Sequence, residues 1–212
     1  MQVWNAVISV KEHGFRQALY VFGEFGEVKR TEFYNIILLR ARDVAHMLEI
    51  LRKRSQKSPE ALAFLARLIP VTRAFIFNSP EEFEDHARSA VLDWSQQLPG
   101  KSFFVRIHRR GFKGRLSTMD EERALDTLLL EELKKTGNPG RFVFEDPDAV
   151  IDIETVGHWA GLSLFTREER AIPLFASNDP LFGRLHARAL SLLFVFPAGI
   201  QELRNDEWRE NG

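Results

Sequence analysis

The chain of 212 residues contains no cysteine. That absence removes disulfides, zinc–thiolate sites, iron–sulfur clusters and thiol nucleophiles together, and it fits an intracellular setting. Zinc-dependent deamination, which needs cysteine ligands beside a His-x-Glu, and thiolation through a persulfide relay are excluded for the same reason. Long apolar runs are missing too. The most apolar later stretch, ALSLLFVF at Ala189–Phe196, falls well short of the roughly 20 residues that a membrane span needs. The opening MQVWNAVISVKEHGF lacks the basic, apolar and small-residue segments of a signal peptide. The expectation is a soluble, cytoplasmic protein without membrane contact. No GxxxxGK[ST] loop is present, and no glycine-rich strand–helix junction would cradle a nucleotide. Tyrosine is scarce, with two against eighteen phenylalanines, so aromatic packing falls to phenylalanine.

Charge is abundant but balanced. The formal net charge is −1, which excludes a generally basic nucleic-acid coat and leaves room for a local patch. Lys101–Arg115 is such a place: it holds Lys101, Arg106, Arg109, Arg110, Lys113 and Arg115 and no acid. Alternation reads Ser102–His108 as a strand, with Phe103, Val105 and Ile107 on one face and Phe104, Arg106 and His108 on the other. The loop beyond carries Arg109, Arg110, Lys113 and Arg115 between Gly111 and Gly114. Two readings stay open on charge alone. One is phosphate neutralisation and base stacking by RNA-facing cations, with the glycines allowing close backbone approach. The other is a solvated basic edge that blocks strand pairing and faces the acids of Asp120–Glu122.

The first 78 residues alternate strand and helix signals. Strands are expected at Val3–Val10, Glu27–Thr31, Phe33–Arg42 and Val71–Asn78. Helices are expected at Phe15–Phe25, at Val44–Arg54 capped by Asp43, and from Ser58-Pro59 to Ile69. The order is βαββαβ, the ferredoxin-like arrangement. A second unit opens at Ser79, which caps a helix with Glu82 completing the box; Phe83, Ala87, Ala90, Val91 and Trp94 share its inner face. After the basic strand, Thr118 and Glu121 form another capping box for a helix to Lys135. Strands follow at Arg141–Glu145, Ala149–Glu154 and His158–Phe165. The tail from Ala171 is punctuated by prolines, with helical character only over Leu181–Phe196.

Three segments of the second unit carry a family resemblance: KSFFVRIHRRGFKG, then DEERALDTLLLEELKKTG, then RFVFEDPDAVIDIETVGHWAGLSLFTREE. Together they resemble a THUMP domain, the RNA-binding module of tRNA-modifying proteins. The preceding unit, with GEVKRTEFYNIILLR, resembles the ferredoxin-like domain that accompanies it. The expected fold is therefore α/β (α+β): a ferredoxin-like domain over 1–78, a THUMP domain with a mixed sheet over 79–170, and a tail over 171–212. The resemblance implies tRNA binding at the acceptor stem and its single-stranded 3′ end. It places the contacts on Arg106, His108, Arg109, Arg110, Lys113 and Arg115, with Arg167, Lys29 and Arg30 as outer candidates. It is similar to stand-alone tRNA-binding adapters of tRNA cytidine acetylation, in which a partner enzyme supplies the chemistry.

No catalytic kit stands out. Asp146, Asp148, Asp152 and Glu154 offer oxygen ligands of the kind Mg²⁺ takes, but their spacing reads as a turn followed by the solvent face of a strand. Asn178-Asp179-Pro180-Leu181 lacks the second proline of the aminomethyltransferase signature and reads as a turn. The six histidines show no i,i+3 or i,i+4 pairing, and Trp4, Trp94 and Trp159 read as packing residues. The expectation is no catalytic residue, no metal and no cofactor. Two rivals remain: an RNA-modifying enzyme with an unrecognised site, and a protein-interaction module that does not bind RNA.

Overall fold

A computed structural model describes residues 4–170; the helical character expected at Leu181–Phe196, like the rest of the tail, lies outside the described residues. The chain begins with β1 (Ala6–Val10), α1 (Phe15–Gly23), β2 (Gly26–Arg30), β3 (Ile36–Ala41), α2 (Val44–Lys57) and β4 (Leu65–Pro70). The four strands form one antiparallel sheet in the order β2-β3-β1-β4, which is the ferredoxin-like arrangement. Ile8, Leu39 and Leu68 meet Phe22, Met47 and Leu51 of the two helices in a common core. Asp43 caps α2 as expected, its carboxylate accepting from the His46 backbone N–H at 2.9 Å.

Two elements differ from expectation. The helix expected to reach Ile69 is a short 3₁₀ turn at Pro59–Leu62, and β4 follows it. A bulge explains the mimicry: Val10 lies opposite Leu65 while Ser9 lies opposite Arg67, so one extra residue enters β4. Leu65 and Leu68 therefore share a face at helix-like spacing, while Ile69 points the other way into a second core. A strand covered on both faces buries consecutive apolar residues and loses its period-two signature. The strand expected at Val71–Asn78 is β5 (Arg73–Ile76), and it pairs with the second sheet instead of closing the first. The passage from one sheet to the other falls between Pro70 and Arg73.

The second sheet follows from α3 (Pro80–Leu92), β6 (Ser102–His108), α4 (Thr118–Lys135), β7 (Arg141–Phe142), β8 (Ala149–Val156), β9 (Trp159–Thr166) and α5 (Arg167–Arg170). Its order is β5-β9-β8-β6-β7, with β6 parallel to both neighbours and the other pairs antiparallel. The expected mixed sheet is present, and Phe103, Val105 and Ile107 enter the core with Phe83, Val91, Leu125 and Leu129 of α3 and α4. Ser79 caps α3 as expected, but Glu82 reaches back to the Asn78 N–H at 2.7 Å, one residue before the cap. Ser117 rather than Thr118 caps α4. No helix of the described residues is long and apolar enough to cross a membrane.

The strand expected at Arg141–Glu145 pairs only over two residues, which would leave the outer edge of β6 open. Helix α4 fills the gap. Asp126 accepts the Val105 N–H at 2.8 Å and Glu122 accepts the Ile107 N–H at 2.6 Å. Four residues of helix advance about 6 Å and two residues of strand about 6.6 Å, so acids one helical turn apart match alternate strand amides. Burial raises the Asp126 carboxyl well above its usual range and pushes Glu122 up to about 7, even though the Ile107 N–H and Arg106 pull Glu122 down. The folded state thus holds a proton on Glu122 between pH 4.5 and about 7 that the unfolded state releases. Stability falls as pH rises through that window, by about 3 kcal/mol from this group alone. Glu122→Gln keeps the acceptor and removes the titration. Its urea midpoint should fall less than the wild-type midpoint between pH 5 and pH 8, leaving the part due to the other carboxyls that burial raises, Asp126 and Glu154 among them.

Candidate nucleic-acid interface

The outer face of β6 does not look into solvent. It looks across β8 toward the first sheet. Parallel register sets Arg106 beside Asp152 and His108 beside Glu154, and both acids are buried. Arg67 on β4 reaches across and bridges them, with Nη1 donating to Glu154 at 2.6 Å and Nη2 to Asp152. Arg110 donates to the other Glu154 oxygen and lies 3.4 Å from the Ser9 hydroxyl on β1. His108 Nε2 lies 3.7 Å from Asp152. Burial alone would lower the Arg67 pKa, and the two carboxylates more than reverse it. Arg106 is the opposite case: burial lowers it despite Asp152, and its guanidinium lies over the Phe104 ring at 5.6 Å.

This corrects the reading of Asp152 and Glu154 as solvent-face acids. They are buried and met by Arg67 of the first sheet, and residues of both sheets, among them Val7, Leu38, Ile69, Val156 and Phe165, form one apolar cluster. His108, Asp152 and Glu154 bring one ligand atom each within 4.8 Å of one another. Two guanidinium groups already occupy three of the four carboxylate oxygens, so the cluster is internally compensated rather than an open donor set.

The remaining cations separate along the strand. Arg167 pairs with Asp146 at 3.2 Å and Asp148 at 3.1 Å, and Asp148 holds Ser102 at the start of β6. The loop lies past the other end of β6, about 20 Å away at the usual rise per residue. One continuous basic patch over Lys101–Arg115 is therefore not formed. What reaches solvent at the loop end is Lys113 and Arg115, while half-buried Arg109 donates to the Gly111 carbonyl at 2.6 Å. Lys29 and Arg30 are exposed on edge strand β2, over the rings of Trp4 at 5.7 Å and Phe15 at 5.9 Å.

The loop is a shaped object. Gly111, Phe112 and Gly114 all have positive φ, at 102°, 51° and 75°. Phe112 turns inward against Phe77, with ring centroids 4.8 Å apart, and Leu116 is buried behind it. The Arg110 carbonyl accepts from the Gly157 N–H at 2.9 Å, tying the loop to the β8–β9 turn. A side chain on Gly111 would stand 3.1 Å from the Gly157 backbone, whereas one on Gly114 meets open space. Gly111 thus serves an internal contact, and Gly114 is the one free to face a ligand. Gly111→Ala is expected to cost about 1–3 kcal/mol through φ strain and crowding, Gly114→Ala about 1 kcal/mol through φ alone. Urea denaturation of the two variants would order them.

Sequence reasoning missed Arg67 entirely, because it sat within an expected helix. It also missed Glu122 and Asp126 as partners of strand amides. Their i,i+4 spacing on a helix beside a strand with a truncated neighbour is the signal that was available.

The fold is similar to that of solved proteins. PH1313 from Pyrococcus horikoshii Ot3 matches over 77% of this chain and 55% of its own, at 12% identity and TM-score 0.50. TrmN from Thermus thermophilus matches over 76% of this chain and 44% of its own, at 15% identity and TM-score 0.50. A 4-thiouridine synthetase–RNA complex with bound ATP matches over 78% and 42%, at 17% identity and TM-score 0.49. This chain thus spans about half the length of the structures it matches. At these identities the likeness is one of fold. No family model and no curated protein matches the chain.

Proposed function

We propose that this protein binds tRNA as an accessory in tRNA modification, contacting the acceptor stem and 3′ end and presenting the RNA to a separate modifying enzyme. The observation that carries the reading is the 109–116 loop. Positive φ at Gly111, Phe112 and Gly114 shapes the loop, Lys113 and Arg115 are exposed on it, and neither forms an ion pair among the described residues. Exposed cations that form no ion pair among the described residues suit phosphate contacts, and the Phe112 ring under the Arg115 guanidinium at 5.2 Å steadies that side chain. The THUMP resemblance and the likeness of fold to PH1313 and TrmN support the same reading. Arg110 then acts as a positioning residue, joining Glu154 to the Ser9 hydroxyl of the first sheet, while Arg106 over the Phe104 ring and His108 beside Asp152 stay engaged within the second sheet. Arg109, Lys113 and Arg115, with Lys29 and Arg30 on β2, meet the RNA.

The test is binding of unmodified tRNA to the purified chain, measured by fluorescence anisotropy across a salt series. Binding at low salt that weakens steeply as salt rises is expected. No binding at low salt overturns the proposal. Modification of that tRNA by the purified protein alone would replace the accessory role with an enzymatic one.

A further inference from the structure

Three connections meet at the loop end of the second sheet. Gly111 of the β6–α4 loop packs on Gly157 of the β8–β9 turn, and the Cβ position of Gly157 lies 3.8 Å from Glu32 and 3.9 Å from Phe33 in the β2–β3 loop. The β2–β3 loop is as firmly shaped as its neighbour. The Thr31 hydroxyl donates to the Ile36 carbonyl at 2.8 Å and accepts from the Phe33 N–H at 3.2 Å. Asn35 has φ 57° and its carbonyl accepts from the Val10 N–H at 2.9 Å. Phe33 turns inward to the core between the sheets. Tyr34, the next residue, is 79% exposed.

A rigid loop that spends a left-handed backbone position to hold a large aromatic ring in water invites a ligand for that ring. Beside it, exposed His158 is fixed by its Nδ1 at 3.0 Å from the Phe77 carbonyl and packs its edge on Phe112 at 5.2 Å. Lys113 and Arg115 extend from the loop that Phe112 anchors, and Arg30 ends the strand that leads into the Tyr34 loop. Glu32 is the one acid among these residues.

Resting on the RNA reading above, we infer that the β2–β3 loop forms the second wall of the RNA site and that Tyr34 stacks on an unpaired base. Lys113 and Arg115 take the flanking phosphates. Aromatic side chains serve single strands this way because every base offers a π face, and an alanine substitution at such a position weakens binding by about tenfold or more. Glu32 opposes the phosphates, so Glu32→Gln tightens binding modestly.

The experiment compares two RNAs on the full chain: a hairpin with a short unpaired 3′ tail and the same hairpin with a blunt end. Tyr34→Ala is expected to lose about tenfold or more in affinity for the tailed RNA and nothing for the blunt one, while Tyr34→Phe binds both as wild type does. Tyr20, 77% exposed on α1, supplies the control, since Tyr20→Ala should leave both affinities unchanged. Wild-type affinity of Tyr34→Ala for the tailed RNA, or an equal loss for both RNAs, overturns the stacking role while the RNA reading stands. Failure of the wild-type chain to bind either RNA overturns both.

Discussion

Arg67→Met is expected to cost about 3–5 kcal/mol of folding stability at pH 7.5. The reason is geometric. Its guanidinium is the bridge between Asp152 and Glu154, and both carboxylates are almost fully buried between the sheets. Arg110 still neutralises Glu154 in the variant, so the uncompensated charge falls mainly on Asp152. A buried carboxylate without its cation binds a proton more tightly in the folded state than in the unfolded one. The gap between variant and wild type should therefore narrow as pH falls from 7.5 to 5. Urea unfolding at both pH values reads both effects. A gap below about 1 kcal/mol that does not change with pH would mean that water already screens the pair.

The paired reversal Lys113→Glu/Arg115→Glu should nearly abolish tRNA binding at moderate salt while leaving the unfolding midpoint in place. Both side chains are exposed, and the contact of Arg115 with the Phe112 ring at 5.2 Å is a surface one, so any change in midpoint should be small beside the loss of binding. Each cation that meets a phosphate contributes close to one unit to the slope of log affinity against log salt. Removing two should flatten that slope by about two, a signature that misfolding does not produce. The contrasting control is Arg167→Glu, at the far end of β6 and already held by Asp146 and Asp148. An equal loss from that variant would place the RNA along the sheet rather than at its loop end.

Local chemistry was legible in the sequence where a residue's role depends on its near neighbours. Asp43 and Ser79 cap helices, and Phe103, Val105 and Ile107 alternate into the core, because a few adjacent residues decide each case. The mixed second sheet followed from such elements in sequence, and so did the ferredoxin-like order, except that its fourth strand was read as helix and the strand after it was read in its place. The two largest failures share one physical cause, the packing of the two sheets face to face. That packing buries both sides of β4, so its apolar residues imitate a helix. It also covers Asp152 and Glu154, which alternate in β8 as solvent-facing residues would. Their partner Arg67 stands 85 and 87 residues away in the chain, and no local pattern links positions so far apart. The basic window was visible, but its division was not: a strand spends its alternate side chains on whatever covers that face, and only the loop beyond is free.

The ion cluster between the sheets also decides how the molecule tolerates being cut. A fragment ending after Asn78 would keep Arg67 and lose both of its acids. It would also expose the face of Trp4, Val7, Leu38 and Ile69 that the second sheet now covers. The complementary fragment would carry Asp152 and Glu154 into water with half of their cations gone, and β9 would lose the strand that flanks it. Neither half is expected to fold as a portable module. Any transplant of the basic loop onto another protein has to bring the first sheet with it.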